Sequence, residues 1–474
     1  MDMLNQFILI FPEIVLTSVA MCMQLLAVFF KNHLRLISLL TIAVLLVLGT
    51  YIINFVPQGS IFIFSNSFEV SPGIYKLKSL VLFLSVMSIV IYKSLIKISD
   101  KVIKVEFITL ILLSTVGVFI SISARDFIIL FCGLELQALS GYAMAAFNNK
   151  DVKSSEAGLK YFVLGSLISC LMLLGISFFY GFAGSIYFND IRAALDGEFN
   201  IGLVVGAIFV LAAILFKLSA APLHIWTPDV YEGAPVSAVT YFAVAQKVGV
   251  LIVLINFVTL VTGNYLRVSV DLIKIAAILS IFIGALGAMM QSSLKRLMAY
   301  STILNVGYVL IAISLHSEEG FRSAIIYMVI YVIGTIGFFA CLVALFGEKS
   351  DIASFADLQG ISAERKTIAA SIAIIMFSMI GLPPLAGFFG KYYVFYNAII
   401  QGEVTLAVLG VISSVIAAFY YLKVVKYMYF MEAVEKTAII PTNRGLLSVS
   451  VISVGFTLFF FILWFWRILL LAII

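Results

Sequence analysis

The feature that most limits the fold of this chain is a series of long, nearly uncharged apolar segments. Most of the fourteen that we count reach the roughly 20 residues that a helix needs to cross a bilayer. Lipid offers no hydrogen bonds to an open backbone, so spanning segments must be helices or strands of a closed barrel. These runs are too long and continuous for the ten-residue alternating strands of a barrel. The sequence therefore predicts an all-α polytopic membrane protein, with segments near 5–30, 34–55, 74–96, 104–122, 127–147, 157–183, 201–221, 236–262, 268–291, 297–315, 321–346, 367–400, 404–430 and 446–471.

Composition agrees with a membrane-embedded chain and argues against nucleic acid as a partner. Hydrophobic residues make up 63% of the chain and charged residues 11%, whereas soluble domains carry about 25% charged residues. The net charge of +5 reflects loop lysines and arginines at the membrane surface. The cysteines lie in apolar runs and form no C-x-x-C pair, so they are interpreted as small buried hydrophobes and not as metal or iron–sulfur ligands. They are Cys22, Cys132, Cys170 and Cys341.

The distribution of basic residues predicts which side of the membrane each loop faces. Seventeen lysines and arginines fall on one side and four on the other, and the richer side is expected to be cytoplasmic. With an even number of spans, both termini then face the exterior. Three further basic residues are placed at exterior helix ends, namely Lys76, Lys78 and Arg467. The seventeen are Lys31, Arg35, Lys93, Lys97, Lys101, Lys104, Lys150, Lys153, Lys295, Arg296, Lys349, Arg365, Lys366, Lys423, Lys426, Lys436 and Arg444, and the four are Arg125, Arg192, Arg267 and Arg322.

Two segments are interrupted, and they lie five segments apart. The seventh stops at Pro222 and leads into a loop with Pro228 and Pro235, and the twelfth is broken at Pro383 and Pro384. Interrupted helices at matching places in inverted repeats indicate a transport site. We therefore expect two inverted five-helix repeats, at residues 104–262 (helices 4–8) and 263–430 (helices 9–13), preceded by helices 1–3 at 1–103 and followed by helix 14 at 431–474.

Four ionisable residues lie within the spans and away from their ends: Glu135, Lys217, Lys247 and Lys391. Lys160 is a fifth, closer to the start of segment six. A lysine at the bilayer centre costs about 2.5–3.5 kcal/mol, so four unpaired, lipid-facing charges would cost on the order of 10 kcal/mol. These groups are therefore expected to face the interior of the bundle and to have partners.

Each charge also has a simpler interpretation. Lys217 is near the end of its segment, so its ammonium could reach the cytoplasmic surface, whereas the stem of Lys247 is too far from either surface. Glu135 could belong to an ion pair that only locks two helices. Lys391 could satisfy carbonyls freed by the break in segment twelve.

The residue types favour proton transfer. A buried lysine changes its proton affinity readily, whereas an arginine stays charged. Three mid-span lysines with one glutamate and no mid-span arginine therefore predict a proton relay. His224 follows the first break and has a near-neutral titration range; the alternative is a hydrogen-bonded loop residue.

The motifs that carry these charges resemble those of a known family. The run KLSAAPLHIWTPDVYEGAPVSAVTYFAVAQKVG, together with LELQALSGY, LKRLMAYSTILNVGYV and GLPPLAGFFGKYYVF, is similar to the proton-translocating antiporter-like subunits of respiratory complex I. Related proteins are subunits of multisubunit sodium/proton antiporters and membrane-bound hydrogenases, which remain the alternative. L-type subunits of this family add a long lateral helix at the C-terminus, whereas this chain ends after segment fourteen. M-type subunits usually have a glutamate at the segment-twelve position, where this chain has Lys391. The N-type is left.

The resemblance implies a role for each residue. Glu135 is similar to the glutamate that pairs with the lysine of the broken seventh helix, Lys217. Lys247 resembles the lysine that links two half-channels, and Lys391 the residue that leads toward the exterior. Lys160 resembles a polar position near the Glu–Lys pair.

The resemblance also implies partners and a location. The chain is expected to carry no cofactor or metal, whereas NAD, FMN, iron–sulfur clusters and quinone belong to the other membrane and peripheral subunits of complex I. The implied function is proton translocation from cytoplasm to exterior across the bacterial inner membrane, coupled to quinone reduction elsewhere in the NADH–quinone oxidoreductase.

Overall fold

The computed structural model of this chain describes residues 3–30, 33–98, 104–262, 266–432 and 443–473. Most of these residues are helical, and thirteen helices among them are long and apolar enough to cross a membrane. The predicted all-α polytopic fold is confirmed. Four of the charged positions used above lie outside the described residues or side chains: Lys31, Lys101, Lys436 and Arg467.

The elements up to the eighth span include one short hairpin. In chain order they are α1 (Met3–Leu9), α2 (Phe11–Phe29), α3 (Leu34–Asn54), β1 (Ile61–Ile63), β2 (Phe68–Val70), α4 (Pro72–Ile98), α5 (Val105–Ser123), α6 (Phe127–Ala145), α7 (Val152–Ala183), α8 (Phe188–Asp196), α9 (Ile201–Leu218), α10 (Trp226–Gly233), α11 (Val236–Tyr241), a π-helical turn (Phe242–Gln246) and α12 (Lys247–Leu260). The two strands pair antiparallel.

The remaining elements are almost all long helices. They are α13 (Leu266–Met289), α14 (Leu294–Ser314), α15 (Glu318–Phe346), two 3₁₀ turns (Gly347–Asp351 and Ala356–Leu358), α16 (Ile361–Glu364), α17 (Lys366–Ile380), α18 (Ala386–Ile400), α19 (Val404–Phe430) and α20 (Arg444–Ile473). The twelfth predicted span is thus two helices, α17 and α18, of 15 residues each. With this pair, the thirteen helices that are long enough to cross a membrane account for the fourteen predicted segments.

The chain divides into two compact units. The first comprises Met1–Ile96, Asp100–Leu218 and Gly233–Ser269, and the second comprises Lys97–Ser99, Ser219–Glu232 and Val270–Ile474. In the first unit, the span from α11 to α12 is almost entirely buried, as α14 and α15 are in the second. The predicted division into inverted repeats stays a prediction.

Several helices begin where the sequence supplies a capping side chain. Each cap accepts a hydrogen bond from a backbone N–H of the first turn, which has no partner inside the helix. The caps are Asp126 for α6, Asp151 for α7, Ser293 for α14 and Ser317 for α15. The cap of α6 fixes the start of the helix that carries Glu135.

Close contact between α5 and α6 depends on two glycines. A Cβ atom added at Gly117 would lie 2.6 Å from the carbonyl oxygen of Gly133, and one added at Gly133 would lie 2.7 Å from the amide nitrogen of Ser121. Small residues allow membrane helices to approach to backbone contact. Gly133 is two residues before Glu135, so this contact also sets the depth of the carboxylate within the first unit.

The interrupted helices end before their prolines. Ser219 follows α9 with φ of +68° and Gly381 follows α17 with φ of +95°, both in the left-handed region that stops a helix. The first break therefore precedes Pro222. Pro228, predicted in a loop, lies in the first turn of α10, where a proline is tolerated because its missing N–H would have no helical partner.

Other local predictions were wrong. The first segment is two helices, α1 and α2. The hairpin β1–β2 and the short helix α8 were not predicted. Cys22, Cys132 and Cys170 are exposed, and Cys341 is buried. The burial prediction failed because the outer face of a spanning helix contacts lipid, where an apolar side chain has no need to be buried.

Candidate functional site

Glu135 and Lys217 form an ion pair within the first unit. The Nζ atom of Lys217 lies 3.1 Å from Oε1 of Glu135, and their side chains are 8% and 19% exposed. Glu135 occupies the middle of α6, and Lys217 is the penultimate residue of α9. The hydroxyl of Ser169 on α7 also donates to Glu135 Oε1. The ammonium of Lys217 is thus directed at a carboxylate and not at the surface.

Lys247 is joined to the same residue through the backbone. Its side chain is buried, and Nζ donates to the carbonyl oxygen of Lys217 at 3.2 Å. That carbonyl belongs to the last turn of α9, where carbonyls have no partner inside the helix and carry the negative end of the helix dipole. Lys217 therefore contacts a carboxylate with its side chain and a second ammonium with its main chain.

Lys391 has the corresponding arrangement in the second unit. Its Nζ donates to the carbonyl oxygen of Ile380 at 2.9 Å and to the hydroxyl of Ser414 at 2.7 Å. Ile380 is the last residue of α17, so the ammonium satisfies a carbonyl that the interruption frees. The ring of Tyr308 lies 5.3 Å away, within range of a cation–π interaction. These contacts agree with the simpler interpretation, in which Lys391 satisfies a carbonyl that the break frees.

A small cavity beside Lys391 has room for solvent. Its volume is about 20 Å³, and its lining includes Asn305, Tyr327, Ser378 and Lys391. A water molecule needs about 10–15 Å³ of such volume and two to four polar partners. Within the second unit, the ammonium therefore lies next to a space that one water molecule can occupy.

The remaining predicted residues lie apart from these contacts or beside the breaks. Lys160 forms an ion pair with Glu156 at 2.8 Å, one turn earlier on α7, and its side chain is 42% exposed. His224 lies in the turn before α10, and its Nδ1 is buried without a hydrogen-bond partner among the described residues. Pro383 and Pro384 lie between α17 and α18.

Among the described residues, the ion pairs that the sequence did not predict include two with one member well inside an apolar segment. Lys78, placed there at a helix end, is fully buried, and its Nζ is 2.5 Å from Oε1 of Glu13. Lys274 pairs with Glu403 at 2.5 Å. A signal existed for both pairs, because Glu13 and Lys274 each lie several residues inside an apolar segment. Ser169 and Ser414 could not have been found, because serine is common in spans.

The described residues gather no group of three His, Cys, Asp or Glu side chains that could hold a metal ion. In the first unit, Lys217 contacts a carboxylate through its side chain and Lys247 through its main chain. In the second unit, Lys391 lies on the second half of a broken span. Amines and carboxylates are groups that can carry protons, and the side chains of Lys247 and Lys391 each donate to a carbonyl at the end of a helix that stops at an interruption.

A helical membrane protein with two interrupted spans and buried lysines on their ends defines a class of ion-translocating membrane subunits. Residues 124–417 match the family described as NADH:quinone oxidoreductase/Mrp antiporter, transmembrane. This match covers more than half of the chain, so the chain belongs to that family.

Curated relatives extend the similarity over almost the whole chain. A protein of Rickettsia felis named NADH-quinone oxidoreductase subunit N is 52% identical over 456 residues, which are 95% of this chain and 98% of the relative. A protein of Parvibaculum lavamentivorans with the same name is 40% identical over 96% of this chain and 94% of its own length.

Solved structures share the fold. A chain of respiratory complex I from Thermus thermophilus superposes with a TM-score of 0.79 at 24% identity, covering 94% of this chain and 97% of that one. A chain of the Mrp complex from Dietzia sp. gives a TM-score of 0.83 at 17% identity, covering 96% and 94%.

Proposed function

We propose that this chain is a membrane-arm subunit of a NADH–quinone oxidoreductase and that it moves protons from the cytoplasm to the exterior. The single observation that carries the proposal is the contact series Glu135–Lys217–Lys247, in which the ammonium of Lys217 meets a carboxylate and the main-chain oxygen of Lys217 accepts from the side chain of Lys247. The names of the relatives at 40–52% identity support the assignment to this oxidoreductase over a sodium/proton antiporter.

The proposed mechanism begins with separation of the ion pair. When quinone reduction in other subunits moves Glu135 away from Lys217, the ammonium of Lys217 loses its counter-charge. Lys247 first passes its own proton on toward Lys391, and its neutral amine then accepts the proton that Lys217 releases. A movement of Lys217 acts on both groups at once, because its carbonyl holds Lys247. The proton then continues to Lys391 and leaves toward the exterior. Transport against 100 mV costs about 2.3 kcal/mol per charge, so the relay must change the free energy of the bound proton by about that amount.

The finer parts of the proposal concern location and partners. The chain lies in the bacterial inner membrane with both termini on the exterior side, as the distribution of basic residues predicts. Its partners are the other membrane and peripheral subunits, which hold NAD, FMN, iron–sulfur clusters and quinone, while this chain contributes proton-carrying side chains alone.

Replacement of the ion pair tests the proposal. In the intact oxidoreductase, Lys217→Ala and Glu135→Ala are each expected to reduce NADH-driven proton pumping by tenfold or more, because positioned acid–base groups contribute about 10²–10⁴-fold to proton transfer. Pumping is measured in membrane vesicles as quenching of a pH-sensitive dye, at matched levels of assembled complex. Lys150→Ala, in an exposed loop, is the control and is expected to pump normally.

Three results would overturn the proposal. Full proton pumping by Lys217→Ala would contradict a relay through Lys217. Sodium-dependent proton exchange by the chain in cells that lack the other subunits would assign it to the antiporter branch of the family. Unchanged turnover and pumping in Lys247→Met would indicate a subunit that only holds the membrane arm together.

A further inference from the structure

The direction in which Lys247 points depends on the π-helical turn that directly precedes it. Residues of an α-helix advance by about 100° each, and a π-helical turn contains one residue more than an α-helical turn. The turn at Phe242–Gln246 therefore rotates everything after it by about 100° relative to a continuous α-helix. Because Lys247 is the next residue, the same sequence in a regular helix would point its ammonium away from the carbonyl of Lys217.

Both ends of this turn are tied to adjacent residues of α5. The hydroxyl of Tyr241, just before the turn, lies 3.0 Å from the hydroxyl of Thr115, which in turn lies 2.9 Å from that of Ser85 on α4. At the other end, Nε2 of Gln246 donates to the hydroxyl of Ser114 at 3.1 Å. We call Ser114, Thr115, Tyr241 and Gln246 the clasp.

The clasp also reaches the helix of the ion pair. Ser114 donates to the carbonyl oxygen of Gln137 on α6 at 3.3 Å, two residues after Glu135. The side chains of Ser114, Thr115 and Tyr241 are fully buried, and Gln246 is 4% exposed. Where water cannot replace a lost partner, removal of one hydrogen bond leaves a polar group unsatisfied, so each of these contacts matters more than it would at a surface.

We infer that the clasp stabilises the π-helical turn and thereby positions the Lys247 ammonium on the carbonyl of Lys217. Its four members are positioning residues for proton transfer and do not carry the proton. A membrane helix needs no such contacts to remain helical, because its backbone bonds are internal. What the contacts select is the π-helical turn over the regular helix. The inference rests on the proposed function.

The test replaces the two hydroxyls singly and together in the intact oxidoreductase. Tyr241→Phe and Thr115→Val each remove one partner of the same hydrogen bond with little change in shape. Each is expected to lower the rate of NADH-driven proton pumping by about three- to tenfold and to move the pH at which that rate is half-maximal. The double variant is expected to be no worse than the more severe single variant, because partners in one contact are not additive.

Matched controls separate positioning from folding. Thr240→Val removes a buried hydroxyl next to Tyr241 that, among the described residues, bonds only to the carbonyl oxygen of Val236 within its own helix at 2.7 Å. It is expected to leave the rate and the pH profile unchanged. Thr115→Ser keeps the hydroxyl and is expected to retain pumping. If the variants at Thr115 and Tyr241 do not assemble, Gln246→Leu tests the other end of the turn.

The outcomes distinguish this inference from the proposed function. Clasp variants that assemble and match Thr240→Val in rate and pH profile overturn the inference. Clasp variants that assemble in lower yield but pump normally per assembled complex also overturn it. Lys247→Met provides the second arm. Normal pumping by Lys247→Met means that the proposed function fails, whereas lost pumping by Lys247→Met with normal clasp variants means that the positioning role alone fails.

Discussion

At the scale of single residues, the pair between Glu13 and Lys78 is a buried ion pair outside the candidate site. Lys78 has no exposed surface, and its ammonium lies over the rings of Phe68, Tyr75 and Phe119 at 5.1–5.8 Å. Glu13 uses one oxygen for Lys78, and its Oε2 has no hydrogen-bond partner among the described residues. A buried ion pair gains little net stability, but removal of one partner leaves the other charge buried and uncompensated.

The first prediction at this scale concerns Lys78. Lys78→Ala is expected to destabilise the chain by about 3–5 kcal/mol, whereas Glu13→Leu combined with Lys78→Met is expected to recover most of that loss. The measurement is the thermal midpoint of the purified complex in detergent, together with the yield of assembled complex. Lys76→Ala, two residues away and exposed, is the control. Equal midpoints for Lys78→Ala and Lys76→Ala would contradict the prediction.

At the scale of elements, the contact of α5 with α6 sets the position of Glu135. Gly133→Ala would place a methyl group 2.7 Å from a backbone nitrogen and 2.9 Å from a backbone oxygen of α5, so the helices must separate. Overpacking of this kind costs about 1–3 kcal/mol. We expect a lower thermal midpoint and reduced proton pumping per assembled complex.

A glycine in open space provides the control for this change. Gly181 lies within α7, and a Cβ atom there would meet nothing within 4 Å. Gly181→Ala is expected to keep or slightly raise the midpoint, because alanine is the better helix former by about 0.5–1 kcal/mol. If Gly133→Ala behaved in the same way, close approach of the two helices would not be what places Glu135.

The elements also show how far the sequence could be interpreted. Long apolar segments predict spanning helices reliably, because lipid leaves the backbone no alternative. The sites of interruption were predicted only approximately: prolines indicated a break, but Ser219 ends α9 three residues before Pro222. The π-helical turn before Lys247 gave no signal, because almost every residue of that span is buried and no periodic pattern remains to reveal an extra residue. Lys78 was misplaced because its partner, Glu13, is distant in sequence.

At the scale of the whole molecule, the excess of basic residues in one set of loops is the strongest global signal. The prediction is that the loop at Asn149 faces the cytoplasm and the loop at Glu198 faces the exterior. Both residues are exposed. In a variant without native cysteines, Glu198→Cys is expected to react with a membrane-impermeant maleimide in intact cells, and Asn149→Cys only in inverted vesicles. The native cysteines must be removed because three of them are exposed.

Detergent-solubilised protein is the control for this experiment, since both thiols should then be labelled. Labelling of Asn149→Cys from outside intact cells would reverse the orientation, and with it the proposed direction from Glu135 toward Lys391.

Two of the three lysines at the candidate site are held by main-chain oxygens, those of Lys217 and Ile380. No side-chain substitution deletes such an oxygen. A mutational survey of this protein will therefore identify the lysines and not the carbonyl groups that accept their hydrogen bonds. Replacing the amide that follows Lys217 or Ile380 with an ester weakens the carbonyl as an acceptor and leaves every side chain intact. This replacement can therefore test the contribution of each main-chain hydrogen bond.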